Sequence, residues 1–380
     1  MAAIARTLIP FATMSCVQKI INQETESMYR LERTTARGFK RASCFMAASL
    51  ALLSHTAHAQ SFSGGSSSVD LYGLIGMYID QSKVSTTPHG TVQAGGGGLT
   101  TSYWGLRGRE DLGGGNAAIF VLESFFRPNT GQMGRNATDG LFSRNAYVGF
   151  STPYGTLKLG EQTTQTYTNQ ILLNPFGASV VFSPLVVQSY TAAYNNTVIG
   201  DTVWDNVVGY YSPSFHGLTG AVQYGVSSAT GSQGRDNLGL HLNYENGPVQ
   251  VALSAQRVRA AITAPGAEQY LYLAGATYNA NFAKFYGALQ TTNTTTAQVG
   301  SHTYQAGLSI PVTAVSVILA EWAITRQRAP HDNDTVHNTG SVAYDYNLSK
   351  RTDVYAAYSY DKISSKPSGS TYGVGMRHTF

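Results

Sequence analysis

Along most of this chain, apolar and polar residues alternate one by one. Leu238, Leu240, Leu242 and Tyr244 interleave with Asn237, Gly239, His241, Asn243 and Glu245; past Asn246-Gly247-Pro248, Val249, Val251, Leu253 and Ala255 interleave with Gln250, Ala252, Ser254 and Gln256. Tyr304, Ala306, Leu308 and Ile310 against Thr303, Gln305, Gly307 and Ser309 repeat the arrangement, as do Tyr372, Val374, Met376, His378 and Phe380 against Gly373, Gly375, Arg377 and Thr379. A period of two is the signature of a strand with one apolar face. The last of these strands ends flush on Phe380 and needs a partner on each edge, because an open edge leaves a row of unpaired backbone groups.

Alternation and turn signals together predict sixteen strands, over 68–81, 99–111, 116–127, 140–151, 155–163, 201–212, 217–227, 236–245, 248–258, 269–279, 282–291, 301–310, 314–326, 335–346, 352–361 and 370–380. Short turns fall at Gly113-Gly114-Gly115, Thr152-Pro153-Tyr154, Pro213-Ser214-Phe215, Asn246-Gly247 and Asn279-Ala280-Asn281, and longer polar loops fall between them. No helical periodicity longer than a couple of turns interrupts the rhythm. Short turns on one side and long loops on the other are the pattern of an up-and-down membrane barrel. An even count lets strand sixteen pair with strand one, in the segment beginning near Val69. A barrel this wide holds a water channel, where an eight-stranded one is filled by its own side chains. Period two by itself fits a soluble sandwich equally well, with the apolar face turned inward.

Composition and the N-terminus favour the membrane. Charged residues make up 12% of the chain, low for a soluble surface, while Gly 40 and Tyr 24 are high. Arg37, Lys40 and Arg41 precede an apolar run from Ala42 to Leu53, and Ala57-His58-Ala59 supplies a small-x-small cleavage site, the layout of a secretory signal. Residues 1–59 are therefore expected to be a leader, with the true start near Met28 and a single barrel domain over 60–380. Both cysteines, Cys16 and Cys44, fall in the leader, so no disulfide is expected in the exported part. The leader also carries seven of the 25 Lys+Arg and three of the 21 Asp+Glu, which leaves 18 of each sign. The basic pI is thus a property of the leader, and a nucleic-acid partner loses its support.

One connection breaks the rhythm. Residues 163–200 contain no Lys, Arg, Asp or Glu, and include Asn174-Pro175-Phe176-Gly177 and the run Val180-Val181-Phe182. So long a connection is functional or disordered. Its apolar content favours a loop folded into the lumen, the other reading being a surface loop packed on a neighbouring subunit.

Several segments resemble the sixteen-stranded general porins of Gram-negative outer membranes, in their betaproteobacterial branch. Ser68-Val69-Asp70-Leu71-Tyr72-Gly73 is similar to the first strand of that family, Trp104-Gly105-Leu106-Arg107-Gly108-Arg109-Glu110-Asp111-Leu112-Gly113 to its second, Ala118-Ile119-Phe120-Val121-Leu122-Glu123 to its third and Arg144-Asn145-Ala146-Tyr147-Val148-Gly149-Phe150 to its fourth. Asn206 to Tyr211 with Ser212-Pro213-Ser214-Phe215-His216-Gly217-Leu218, Leu348-Ser349-Lys350-Arg351-Thr352 and Gly375-Met376-Arg377-His378-Thr379-Phe380 continue the match. The resemblance implies an outer-membrane, multi-pass homotrimer, each barrel a pore for passive diffusion of small hydrophilic solutes and ions, seated among lipid and lipopolysaccharide. It also implies a third loop that narrows the pore, here about 164–200, and a terminal strand ending in Phe380 that the barrel-assembly machinery reads.

The family places basic residues on the wall opposite that loop. Alternation turns Arg107, Arg109, Arg144 and Lys158 inward, with Arg127 at the outer end of its strand beside them and Glu123 as the inward acid. Tyr103 stands where the family often has an arginine, and Glu161 likewise follows Leu159-Gly160 in place of one. With no acid in the loop, the pore is expected to prefer anions. The alternative is a substrate-selective porin for organic anions or oligosaccharides; a sugar channel requires a ladder of aromatics along the lumen, whereas the tyrosines read as facing mostly outward or clustering near strand ends, and Trp104 as facing lipid. No enzyme, cofactor or metal is expected: there is no Gly-x-Ser-x-Gly, His-Glu-x-x-His or phosphate loop, and His331, Asp332, Asp334 and His337 read as a solvated polar loop.

Overall fold

The computed structural model describes residues 67–226, 236–260, 267–295, 297–330 and 332–380, so the leader lies outside the described residues. The long strands, in chain order, are β1 Ser68–Lys83, β2 Tyr103–Gly113, β3 Asn116–Arg127, β4 Asn145–Thr152, β5 Gly155–Thr163, β6 Val203–Tyr211, β7 Leu218–Gly225 and β8 Asn237–Asn246. They continue as β9 Val249–Ala260, β10 Ala267–Asn279, β11 Lys284–Thr294, β12 Val299–Thr313, β13 Ser316–Ala329, β14 Asp332–Asn347, β15 Thr352–Ile363 and β16 Gly369–Thr379. Each of the sixteen expected strands has its counterpart, and every long strand pairs antiparallel with its sequence neighbour. No described helix is long and apolar enough to cross a membrane; the strands do the crossing.

The cylinder closes between β1 and β16, whose register runs from Leu74 opposite Thr379 to Lys83 opposite Ser370. Phe380 extends the seam: its N–H donates to Gly73 O at 3.0 Å and its carbonyl accepts from Gly73 N at 3.2 Å. Closure is therefore several residues further along than the expected start near Val69, which instead faces Gly108 of β2. Gly73 is required by close approach, since a Cβ there would stand 2.6 Å from Tyr103 O and 2.7 Å from the Phe380 ring.

The expected second strand, 99–111, begins only at Tyr103, because β2 reaches no higher than Leu74 of β1. A short strand, Thr91–Gly96, folds back from the first outer loop and pairs with Met77 to Ser82, completing the edge that β2 leaves open. The next residues turn inward, where Ser102 Oγ accepts from Gly76 N (3.0 Å) and donates to Gly76 O (3.1 Å). The fourth strand likewise starts at Asn145, not 140, and Gln132–Met133 adds a two-residue pairing to the top of β3.

Parity then sorts the side chains. Leu240, Leu242, Tyr304, Tyr372, Val374 and Met376 are exposed on the outside, while Asn237, His241, Thr303, Gln305 and Arg377 are buried inside. A soluble sandwich would show the reverse. Removing Phe380 deletes both seam hydrogen bonds and its ring, so we expect the truncated protein to reach the membrane in lower yield and to lose its folded gel mobility at a lower temperature. Normal yield and unchanged heat resistance would show that closure rests on the β1–β16 ladder alone.

Candidate functional site: the loop-lined lumen

The connection from β5 to β6 does fold into the barrel. It forms α1, Gln165–Leu172, capped by the Thr164 hydroxyl accepting from Tyr167 N, and α2, Pro184–Tyr190, capped by Ser183 accepting from Val186 N, with proline in the first turn. Asn174-Pro175-Phe176-Gly177 is the bend between them: Asn174 Oδ1 accepts from Phe176 N (2.8 Å) and its Nδ2 donates to the carbonyls of Gln170 and Gly177. All four residues are buried.

Apolar burial seats the loop. Leu173, Leu185 and Val198 pack with Ala252, Leu271, Leu273 and Ala288 of β9 to β11. Phe176 and Phe182 pack with Tyr78, Leu99, Leu319, Ala343, Tyr355 and Ala357. Wall glycines admit the closest contacts: a Cβ on Gly275 would meet Leu173 at 2.6 Å, and one on Gly307 would meet Pro175 at 2.7 Å. Inward-facing Leu271, Leu273 and Leu319 went unremarked in the sequence. They carry a legible signal, since apolar side chains on the lumen side of a water-filled barrel mark where something covers the wall.

Side-chain amides complete the seat. Gln170 donates to Gln290 Oε1 (2.5 Å), Asn169 to Ser254 Oγ (2.8 Å), and Gln223 Oε1 accepts from Gln165 N (2.7 Å). At the exit, Arg135 of the second outer loop forks onto Asp139 and Asp201, its Nη2 lying 2.6 Å from Asp201 Oδ2. Burial pushes the Asp201 carboxyl up, but the donors and charge of Arg135, with Thr202, outweigh it and hold the group below the ordinary carboxylate range.

The basic residues stand on β2, β3 and β5 and just before β4, across from this seat. Arg107 pairs with Asp70 at 3.1 Å and lies over the Tyr72 ring (4.9 Å). Arg144 pairs with Glu123 at 2.5 Å and lies over Tyr103 (4.0 Å). Lys158 sits between Tyr147 (5.1 Å) and Tyr211 (4.2 Å). Among the described residues, no carboxylate lies within ion-pair distance of Arg109 or Arg127. Register places them at different depths: Arg127 tops β3, Arg107 is opposite Val121, and Arg109 shares a row with Lys158 through Ile119 and Gly149. From residue 127 to 119 is about 27 Å along the strand.

Two expectations change, and a third is qualified. Alternation on the fourth strand does not turn Arg144 inward, because the strand starts one residue later and Asn145 takes that parity; Arg144 reaches the lumen from the strand's outer end. Glu123 also binds Tyr72 Oη and Asn145 Nδ2, each at 2.5 Å. Most strand tyrosines do face outward, among them Tyr210, Tyr224, Tyr272, Tyr304, Tyr344 and Tyr372, but Tyr72, Tyr78, Tyr103, Tyr147, Tyr211, Tyr286 and Tyr355 turn inward. His337 is no solvated loop residue but a buried lumen side of β14, its Nε2 at 2.5 Å from Asp361 Oδ1; His331 lies outside the described residues.

A closed antiparallel barrel with an apolar exterior, a polar interior and an inward loop defines a transmembrane channel of the outer-membrane type. Residues 47–366 match the Gram-negative porins, and the chain belongs to that family, whose members are outer-membrane channels for passive diffusion. It is 30% identical to an outer membrane porin protein of Bordetella pertussis over 329 residues, covering 73% of this chain and 82% of that one. It is 27% identical to outer membrane porin protein 32 of Delftia acidovorans, covering 83% and 94%. The anion-selective porin from Comamonas acidovorans superimposes with a TM-score of 0.71 at 25% identity, covering 83% of this chain and all of that one. A trimer form of OmpT from Vibrio cholerae shares the fold, with a TM-score of 0.65 at 15% identity.

Because the Asp201 carboxyl is held low, its pairing with Arg135 stabilises the folded loop above the ordinary carboxylate range and is lost as pH falls below about 4. Amide exchange around 199–203 is expected to rise below that pH in the wild type and to be high already at neutral pH in Arg135→Met. Wild-type exchange in the variant would show that the pair does not hold the loop exit.

Proposed function

We propose that solutes pass between the loop 164–200 and the wall of β2 to β5, and that the pore prefers small anions. One observation carries this reading: the loop has no ionisable acid or base, so the charge across the narrowing comes from the wall. There Arg107, Arg109, Arg127, Arg144 and Lys158 face the lumen; Asp70 and Glu123 match two of them. Guanidinium groups stay charged, and in a narrow passage they raise local anion concentration and oppose cations. The likeness to an anion-selective porin supports the same preference.

On this reading residues 1–59 are an export leader, the barrel over 60–380 assembles as a homotrimer in lipopolysaccharide-bearing membrane, and the assembly machinery reads the strand ending at Phe380. The role is transport without catalysis. A second reading, selectivity for organic anions, is favoured by the inward Tyr72, Tyr103, Tyr147 and Tyr211 with cations over their rings. Aromatic carboxylates outpacing aliphatic ones of equal size in vesicle uptake would establish it.

Replacing Arg107 and Arg144 together by Ser not only removes two cations but leaves Asp70 and Glu123 without them. The chloride-to-potassium permeability ratio, from reversal potentials in planar bilayers under a salt gradient, is expected to fall and to approach or cross unity. A ratio equal to that of the wild type would place selectivity elsewhere.

A further inference from the structure

Glu321 of β13 is turned into the lumen wall and is 4% exposed. Its inward neighbours on the same strand, Leu319 and Ala323, are the apolar residues expected beneath a docked loop. A buried carboxyl group is costly unless it is well supplied with hydrogen-bond partners. Among the described residues no Lys, Arg or His lies within ion-pair distance of it. Every donor it has comes from the loop. Leu185 N donates to Oε1 at 2.9 Å, and the Ser183 hydroxyl reaches Oε2 at 3.3 Å and Oε1 at 3.5 Å.

One turn further along α2, Gln188 grips the same wall. Its Nε2 donates to Thr339 Oγ1 (2.8 Å) and to the carbonyls of Ala323 (3.3 Å) and His337 (3.4 Å), while its Oε1 accepts from Thr325 (2.6 Å). Residues 321, 323 and 325, successive inward positions of β13, thus each touch the loop. The seat of α1 is less complete: Gln165 Nε2, Thr166 Oγ1, His241 Nε2, Asn243 Oδ1 and Gln256 Oε1 are buried there without hydrogen-bond partners. Both halves are anchored, α1 through Gln165, Asn169 and Gln170, but the wall acid lies only beneath α2.

We propose that Glu321 is the positioning residue for the constriction: its two oxygens draw the start of α2 back onto β13 and keep the loop off the basic wall. This rests on the reading of residues 164–200 as the narrowing. A carboxyl group suits the task because one oxygen accepts from Leu185 N while the other meets the Ser183 hydroxyl, which neither a leucine nor an alanine can do.

The test is single-channel recording of the full-length protein in planar bilayers, with gel heat resistance as the control on the barrel. In Glu321→Leu the released α2 moves into the lumen, so conductance is expected to fall by about twofold and closures to become more frequent, with heat resistance kept. Glu321→Gln, which retains an acceptor oxygen, should restore nearly wild-type conductance. Ser183→Ala, which alters the loop and leaves the wall intact, should shift conductance the same way as Glu321→Leu and decides the matter if that variant fails to assemble. Wild-type conductance and closing rate in both Glu321→Leu and Ser183→Ala would overturn the proposal. Deleting Asn174 to Gly177 separates the two readings: a wider pore in the deletion with no effect of Glu321→Leu removes the anchor but not the constriction, whereas an unchanged pore in the deletion removes the constriction.

Discussion

Every backbone N–H and C=O that enters the hydrocarbon must find a partner within the protein. Sixteen strands meet that demand only when the last pairs with the first, through Gly73 and Phe380 at the lower end of the seam and Lys83 and Ser370 at the upper. Where β2 falls short beside β1, Thr91–Gly96 comes back to supply the missing ladder, and Ser102 satisfies Gly76 with a side chain. Closure also fixes which face of each strand is outside. Once the register is set, a shift of one residue would turn every lipid-facing side chain into the lumen.

The interior that closure creates is divided in two. From β9 to β15 the lumen side carries Ala252, Leu271, Leu273, Leu319, Ala343 and Ala357, and there the loop lies, burying its own Leu173, Phe176, Phe182 and Leu185. From β2 to β6 it carries Tyr103, Tyr147 and Tyr211 with Arg107, Arg144 and Lys158, while Lys284, Tyr286 and Tyr355 stand on the arc that holds the loop. An uncharged loop is what allows this division, because a buried Lys or Glu on α1 or α2 would have to find a counterion in an apolar seat. The one wall acid beneath α2, Glu321, is accommodated by loop donors instead of a cation.

Much of this was legible in the residues. Period two located all sixteen strands and their inward faces, and the missing charges in 163–200 located the loop. What alternation does not encode is register, which is a relation between strands far apart in sequence. Hence the seam slid from Val69 to Gly73, and the pairing of Arg107 with Asp70 was invisible. Thr91–Gly96 escaped notice because Gly95 and Gly96 carry no face preference. Alternation alone also misassigns the parity of Arg144, because a strand that starts at Asn145 reverses the parity of the residue before it, and its pairing with Glu123 is a contact between strands. The inward tyrosines were missed because tyrosine serves an aromatic girdle at the membrane surface as readily as a lumen wall.

Those tyrosines change how the wall cations act. A guanidinium lying over a ring, as Arg144 over Tyr103 and Arg107 over Tyr72, is attracted by the ring without being neutralised. The carboxylates Glu123 and Asp70 approach the same groups, so each cation is fixed in place between an acid and a ring. Such a group contributes a stationary field and pays little reorganisation when an anion passes. Arg109 and Arg127, without carboxylate partners among the described residues, lie one deeper and one higher than the fixed pair. On the proposed reading the cations are spread over the depth of the passage, so that an anion would meet a next attraction on leaving the last, which is the condition for entry without trapping.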